Sequence, residues 1–417
     1  MLNLFNNLYT FIYFLFFLTL YVMYAKKKGS FKNFDATSYI LIYYAITAFF
    51  SLLYYNISNG MFRDYSKITL TPYLYLCICF CIALFPIYKN DNSTIFRANL
   101  TVKSERFVNR LIVVLMICAV LPFLESIIHL PNVLRSGAMA DVYNMRLEGR
   151  GSDYLSFLGR KFFLILWLCN NLIPILLLYS IIKNKKKKYI VGLSLTLITI
   201  WIHSMFLGGR SKLVQNALYV IFVFFVFKQF IPENKRKIII KYGGVVLSVA
   251  VVGLAAVSIS RFASMGDTSS LSSIWEWIGL YAGEGALNFN ALEWYVKGST
   301  NGYTTFALPL SVYDGALITV EDLWNIKSKL GIPGNIFYTY MGPFVGDFGK
   351  TGGIVVFFIL SMLVTFIYKS KHINGMQKLC LICLWGKILM VGPIFYTYST
   401  VDDQINLLIS LIIVALL

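Results

Sequence analysis

Long apolar runs alternate with short polar segments along the whole chain. Runs of about 18 or more apolar residues have the length that a helix needs to cross a bilayer. The pattern therefore predicts an all-α, polytopic transmembrane helical bundle of about 11 spans, with 10 to 12 compatible with the run boundaries. The predicted spans cover residues 8–25, 37–55, 68–88, 108–130, 162–182, 189–207, 212–231, 238–259, 352–368, 376–397 and 401–417.

Two connecting segments, residues 131–161 and 260–351, are much longer than turns. Loops beyond ~12–15 residues without secondary structure are uncommon unless they are functional or disordered. The second contains "LSSIWEWIGLYAGEGALNFNALEWY", in which apolar residues recur at helical spacing. This spacing predicts an amphipathic helix over about 271–295, and its tryptophans indicate a position on the outer membrane interface.

Lysine-rich loops set the expected orientation. The segments "AKKKGSFK", "KNDNSTIFRANLTVKSERF", "KNKKKK", "ENKRKIIIK" and "KSKH" follow spans one, three, five, seven and nine. Positive loops stay in the cytoplasm, so the N-terminus is predicted outside and the C-terminus inside, with both long loops outside. Because no linker or internal repeat divides the sequence, residues 1–417 are expected to form one membrane domain.

Composition agrees with this class and narrows the partners. The chain is 58% hydrophobic and only 13% charged, whereas soluble domains are about 25% charged. Its formal charge of +18 would suggest nucleic acid in a soluble protein, but most of the excess is lysine at span ends, so we expect no nucleic-acid partner. The seven cysteines fall inside predicted spans, where thiols act as small apolar groups, and no metal site is expected.

Arginine does not follow lysine into the cytoplasmic loops. A guanidinium grips phosphate through two parallel hydrogen bonds, so outward arginines near span ends suggest a phosphate-bearing ligand at the outer leaflet. The alternative is that each arginine reaches lipid phosphates or pairs with a loop carboxylate. Seven of the chain's eleven arginines lie on the predicted outward side: Arg63, Arg135, Arg146, Arg150, Arg160, Arg210 and Arg261.

Arg210 has the most suggestive surroundings. It follows two glycines in "WIHSMFLGGR", at a predicted outer helix end where backbone could approach a bulky ligand. His203 lies seven residues earlier, so the two side chains would share a face if one helix continued through both. A histidine inside a span carries a functional expectation, although many make only helix–helix contacts.

Arg146 and Arg150 form a second candidate pair. They are four residues apart in "DVYNMRLEGRGSDY", so on a helix they would point the same way and repel unless an anion lay between them. Glu148 and Asp153 could instead neutralise them within the loop.

One segment resembles a known family. The run "GNIFYTYMGPFVGDFGKTGGIVVFFILSML" (334–363) resembles the segment entering a late span in bacterial O-antigen and capsular oligosaccharide repeat-unit polymerases. The shared features are an asparagine followed by aromatics and a D-F-G-x-x-G step into the helix. "GGRSKLV" after a mid-chain span, an arginine in a preceding outer loop and a large late outer loop also fit. About forty to fifty residues match in detail.

The resemblance implies a metal-independent C-type glycosyltransferase that uses no cofactor. Such enzymes transfer a growing glycan from polyprenyl pyrophosphate to a new lipid-linked repeat unit, at the outer face of the bacterial plasma membrane. Negative charge builds on the leaving pyrophosphate, and fixed positive charge stabilises that transition state. Besides the bilayer, a chain-length regulator is a further partner to consider. The candidate pyrophosphate ligands are Arg210, Arg146, Arg150 and Arg261.

A base is also needed to deprotonate the acceptor hydroxyl. His203, Asp347 and Glu284 are the candidates, in that order. Asp347 has an alternative role as a cap or dipole partner at its helix N-terminus. Tyr338 and Tyr340 could stack on sugars or donate hydrogen bonds to them, although tyrosine at a span end is also ordinary belt chemistry.

Two other functions stay open on the sequence. An O-antigen ligase would use the same donor with a different acceptor, so the sequence separates the two poorly. A flippase or transporter of lipid-linked oligosaccharides would be expected to have two similar halves around a charged cavity. The absence of an internal repeat and the aromatic 260–351 loop favour the polymerase.

Overall fold

The computed structural model describes residues 2–29, 34–58, 64–92, 100–134, 154–206, 210–244, 248, 271–331 and 336–417. These residues form helices and turns and contain no β-strand, which confirms the all-α class. The helices are α1 Leu2–Lys27, α2 Ala36–Ser58, α3 Leu70–Asn92, α4 Glu105–Leu134, α5 Phe157–Leu168, α6 Ile173–Ile182, α7 Lys187–Phe206, α8 Arg210–Phe227, α9 Leu271–Ala291, α10 Ala307–Asp314, α11 Val320–Lys329, α12 Gly342–Lys369, α13 Gly375–Val391 and α14 Val401–Leu416. Residues 233–244 are also helical.

Contacts group the chain into two compact units. The first unit comprises Met1–Leu100 and Leu271–Leu407, and the second comprises Thr101–Ser270 and Leu408–Leu417. The sequence gives no linker that would indicate this division.

Among the described residues, six helices are long and apolar enough to cross a membrane, or seven if one bent pair counts as a span. This supports a membrane protein, while the predicted count of about 11 is not confirmed. Several predicted spans are too short or lie partly outside the described residues. Helices α13 and α14 have 17 and 16 residues, at or just below the short end of the ~17–25 residues of a spanning helix, and most of the 238–259 run is not described.

The predicted span 162–182 is two helices rather than one. Helices α5 and α6 meet at an angle of 70°. Pro174 lies in the first turn of α6, where its missing N–H costs nothing. In one continuous helix Pro174 would have no N–H for the Asn170 carbonyl and its ring would clash with that carbonyl, so the helix breaks before α6. The prediction of one continuous helix over 162–182 is therefore wrong, because the run is divided between α5 and α6.

In the first unit, α9 packs closely on α2. The sequence "GLYAG" places Gly279 and Gly283 four residues apart, the spacing of close helix contacts in membranes. A Cβ atom added at Gly283 would lie 2.5 Å from backbone atoms of α2, and Ser51 Oγ donates to the Gly283 carbonyl at 2.8 Å. Residues 283–291 are all buried, unlike the one-sided burial expected of a helix lying on the membrane interface.

Within each unit, one contact joins two loops that are predicted to lie on the same side of the membrane. In the first, Lys28 Nζ donates to the Asp91 carbonyl at 3.4 Å, joining two predicted cytoplasmic loops. In the second, Lys185 and Glu105 form an ion pair of 2.8 Å between the predicted cytoplasmic loops 183–188 and 89–107. Which end faces outward stays a prediction.

Candidate functional site

Most of the predicted arginine site lies outside the described residues. Arg146, Arg150 and Arg261 are among the residues that the structure does not describe. Arg210 is the first residue of α8, and its side chain is not described. His203 lies in α7, which ends at Phe206, so the two residues belong to different helices and do not share one helical face as the spacing suggested.

His203 is buried in the second unit and is hydrogen-bonded. Its Nδ1 shares a hydrogen bond with the Tyr154 hydroxyl. The ring of Phe163, in α5, covers the imidazole with ring centres 3.7 Å apart. The imidazole is therefore held in one orientation by a polar partner and an aromatic wall.

Helix α4 supplies the other polar groups around Tyr154. Ser126 Oγ lies 3.4 Å from the Tyr154 hydroxyl, and the His129 ring centre lies 6.0 Å from that of Tyr154. Glu125 accepts a hydrogen bond from a backbone N–H at the start of α5, at 3.2 Å. We call His203, Tyr154, Ser126, His129 and Glu125 the His203 cluster.

The tautomer of His203 decides what this cluster can do. Burial raises the pKa of the Tyr154 hydroxyl, so Tyr154 keeps its proton. When Tyr154 donates that proton to Ser126, its oxygen accepts from Nδ1–H of His203. Nε2 then carries the free lone pair that a general base needs, because the partner of one ring nitrogen fixes the role of the other.

Asp347 lies in the first unit, in the second turn of α12, and its carboxylate is occupied. It accepts hydrogen bonds from the backbone N–H of Thr305 at 2.6 Å and of Thr304 at 3.3 Å, and from the Thr300 hydroxyl. Ser299 Oγ donates to the Asp347 carbonyl at 2.6 Å. The residue thus anchors the 299–305 segment rather than capping its own helix.

The glycine that follows Asp347 in the D-F-G-x-x-G step breaks α12. Gly349 has φ +68°, a left-handed conformation that costs glycine little. A Cβ atom added at Gly353 would lie 2.9 Å from the Phe344 carbonyl oxygen, so glycine lets the longer part of the helix pass close to the short first part. Gly349, within the D-F-G-x-x-G step, and Gly353, directly after that step, therefore each have a structural reason to be glycine.

Glu293 and Lys327, which the sequence reasoning missed, lie in the electrostatic neighbourhood of Asp347. Their side chains are only 1% and 2% exposed, and within the described part of the chain neither Glu293 oxygen nor Lys327 Nζ has a hydrogen-bond partner. Lys327 Nζ lies 3.2 Å from the centre of the Tyr338 ring, a cation–π contact. Gly346 leaves room for Glu293, since an added Cβ would lie 3.3 Å from its Oε1.

We call Glu293, Lys327 and Asp347 the buried charge cluster. Within it, Glu293 titrates near neutral pH. The pKa of Glu293 is raised to about 7, mainly by burial. The nearby Lys327 ammonium acts to lower this pKa and the Asp347 carboxylate acts to raise it, and the value of about 7 includes both effects. The three residues come from the 3₁₀ turn Glu293–Tyr295, from α11 and from α12. The cluster therefore joins three parts of the predicted 260–351 loop.

Tyr340 and Glu284 are both buried in the first unit. The Tyr340 ring packs on Phe357 with ring centres 5.3 Å apart, and its backbone N–H donates to Gly392 at 2.8 Å. The ring of Tyr340 offers no open face for stacking on a sugar, and its hydroxyl lacks a partner among the described residues. Glu284 lies within α9, in the closely packed stretch described above.

A signal for Lys327 does exist in the sequence. The buried or half-buried positions are Leu323, Ile326 and Lys327 in α11 and Leu330 directly after it, the i, i+3, i+4, i+7 pattern of a buried helical face. A lysine at an apolar position of this pattern indicates a buried cation that needs a counter-charge. Tyr154 has no such local signal, because its partner His203 lies 49 residues away.

We expect Asp347→Ala to destabilise the protein by about 2–5 kcal/mol, because two buried backbone N–H groups would lose their acceptor at roughly 1–3 kcal/mol each. Asp347→Asn keeps one oxygen and should cost less. The measurement is the thermal unfolding midpoint of purified protein in detergent. Asp314→Ala is the matched control, since this aspartate is exposed and, among the described residues, accepts a hydrogen bond only from the Tyr303 hydroxyl. Equal midpoints for Asp347→Ala and Asp314→Ala would show that the anchor is unimportant.

Comparison of the chain with protein-family models, with curated proteins and with solved structures finds no match. A functional assignment therefore rests on the residue pattern and on the two clusters described above.

Proposed function

We propose that this protein is a polymerase of lipid-linked oligosaccharide repeat units, making O-antigen, capsule or exopolysaccharide in the bacterial plasma membrane. The observation that carries the proposal is the concentration of arginines on the predicted outward side, with Arg210 at the start of α8. The 334–363 resemblance supports the same reading. The substrate is a polyprenyl-pyrophosphate-linked oligosaccharide, and no metal or cofactor takes part.

The reaction is a displacement at the anomeric carbon of the donor. An acceptor hydroxyl on the new repeat unit forms the glycosidic bond while the bond to the pyrophosphate oxygen breaks. The hydroxyl proton passes to His203 Nε2, and the electron pair leaves on the polyprenyl pyrophosphate. Arg210, with Arg146, Arg150 and Arg261, stabilises that leaving charge, which is the largest contribution such a site can make.

His203 is better suited than Asp347 to act as the general base that deprotonates the acceptor hydroxyl. His203 is buried, oriented by Tyr154 and free at one ring nitrogen in the tautomer described above. The Asp347 oxygens already accept three hydrogen bonds from the 300–305 segment, which leaves little capacity to take a substrate proton. We therefore assign Asp347 a scaffolding role in the loop.

The decisive experiment compares surface-glycan length in a null strain complemented with wild type, Arg210→Lys or His203→Gln, at matched membrane levels. We expect both variants to shift the ladder of surface-glycan lengths toward single repeat units. Losing one donor to the transition-state charge costs about 10²–10³-fold in rate, and losing a general base costs about 10²–10⁴-fold. Arg110→Lys and His372→Gln are the matched controls, because both residues are exposed and lie near predicted cytoplasmic ends.

Each other outcome has a defined meaning. An unchanged ladder in Arg210→Lys would remove Arg210 from the site. A null strain that keeps lipid-linked polymer but fails to attach it would indicate the ligase. A null strain that makes full-length surface glycan would overturn the polymerase proposal and bring transport forward.

A further inference from the structure

The first unit contains an open groove that neither cluster uses. Its volume is about 490 Å³, within the range of small-molecule sites. Three segments line it: the start of α1, residues 66–69 before α3, and the 3₁₀ turn after α9. All three are predicted to face outward. The lining side chains that matter below are Phe5, Tyr9, Ser66, Lys67, Thr69 and Tyr295.

The wall formed by residues 65–69 is fixed without secondary structure of its own. The side chain of Asn290, buried in α9, accepts from the Thr69 N–H at 3.0 Å and donates to the Thr69 carbonyl at 2.7 Å. Asn288 accepts from the Tyr65 hydroxyl at 3.1 Å, and the Tyr295 hydroxyl donates to the Lys67 carbonyl at 2.9 Å. Because this wall is already ordered, little conformational entropy is lost from it when a ligand binds.

The chemistry of the lining combines open aromatic faces with hydrogen-bonding groups. Phe5 and Tyr295 are 48% and 41% exposed, and the side chains of Ser66, Lys67 and Thr69 are also exposed. Aromatic rings give large, rigid apolar surface, on which the C–H face of a sugar can lie while its hydroxyls meet polar groups at the rim. Lys67 is the one cation among the lining residues, whereas phosphate recognition relies on several cations or a guanidinium fork.

We propose that this groove binds a saccharide unit. On the proposed function, on which this assignment of substrate rests, the unit belongs to the glycan of the lipid-linked substrate at the outer face of the membrane. Tyr9, Phe5 and Tyr295 provide the stacking surface, and Lys67, Ser66 and Thr69 bind the hydroxyls.

The test is saturation-transfer NMR on the full-length protein in nanodiscs of phosphatidylethanolamine and phosphatidylglycerol. The probes are free glucose, galactose, N-acetylglucosamine and rhamnose, each titrated separately. We expect saturation transfer to at least one sugar, and roughly ten-fold weaker binding of that sugar to Tyr9→Ala and to Lys67→Met. Tyr313→Ala should bind like wild type, since Tyr313 is 87% exposed and does not line the groove.

Failure of this proposal is separable from failure of the polymerase. No transfer to any of the four sugars, or equal weakening by Tyr9→Ala and Tyr313→Ala, would overturn the groove assignment. Sugar binding that disappears when phosphatidylglycerol is raised would make a lipid headgroup the occupant and would also overturn it. Binding that depends on Tyr9, in a protein whose null strain still polymerises glycan, would support the saccharide site and overturn the polymerase.

Discussion

Gly283→Ala is expected to destabilise the first unit strongly by forcing α9 away from α2. The added Cβ would lie 2.5 Å from the carbonyl carbon of Phe50 and from the backbone nitrogen of Ser51. Backbone atoms cannot rotate out of the way as a side chain can. The hydrogen bond from Ser51 Oγ to the Gly283 carbonyl would be lost as the helices separate. Overpacking of this kind costs about 1–3 kcal/mol or more, and we expect the upper end.

The measurement is the thermal midpoint of the purified protein in detergent. A loss of ~3 kcal/mol corresponds to a fall of roughly 6–12 °C for a unit of this size. Gly243→Ala is the matched control: this helical glycine is exposed, and a Cβ added to it meets nothing within 4 Å. Alanine is the better helix former by about 1 kcal/mol, so the control should melt at the wild-type temperature or slightly higher. If Gly283→Ala melts like Gly243→Ala, the close approach of α9 to α2 is wrong.

The same helix illustrates what the sequence could predict. The apolar spacing over 271–295 predicted α9 closely, because helix formation follows from local pattern. It did not predict that α9 packs against α2, more than 200 residues away along the chain. The "GLYAG" spacing is the local sign of that contact, since two glycines on one face have little purpose on an interfacial helix.

In the candidate sites, too, the sequence indicates single residues but not the partners that they contact. His203 stands out in the sequence as an ionisable residue inside a predicted span, and Asp347 stands out as the acidic residue of the D-F-G-x-x-G step. Their partners are invisible to local pattern: Tyr154 lies in the long 131–161 segment, and Glu293 lies beside aromatic residues in the 260–351 loop. Only the tertiary fold decides that the Asp347 carboxylate is occupied by the 300–305 segment while both Glu293 oxygens have no partner in the described chain.

The buried charge cluster gives the pH-dependent prediction. Glu293 has a folded-state pKa of about 7 against an ordinary value of 4.5, so between these pH values the folded protein holds a proton that the unfolded chain has released. Stability therefore falls as pH rises from about 4.5 to 7, by about 3 kcal/mol in total, and is lowest above pH 7. Glu293→Gln should remove this part of the decline.

The effect of Lys327→Met on stability should change sign with pH, from destabilising above pH 7 to neutral or stabilising near pH 4.5. Above pH 7 Glu293 is charged in wild type, and removing the buried ammonium leaves that carboxylate without its counter-charge, at a cost of about 3–5 kcal/mol. It also raises the pKa of Glu293 further, so the loss of stability continues to higher pH than in wild type. Near pH 4.5 Glu293 is neutral, and replacing a buried cation by methionine should then be neutral or stabilising.

Thermal midpoints in detergent across pH 4.5–8.5 provide the measurement, with Lys329→Met, an exposed lysine of α11, as the matched control. The double variant Glu293→Gln/Lys327→Met should be more stable than Lys327→Met at pH 8, because residue 293 then no longer carries a buried charge without a counter-charge. A Lys327→Met profile parallel to that of wild type would mean that Lys327 and Glu293 do not interact. A crossing of the two profiles would instead establish that Lys327 and Glu293 are electrostatically coupled.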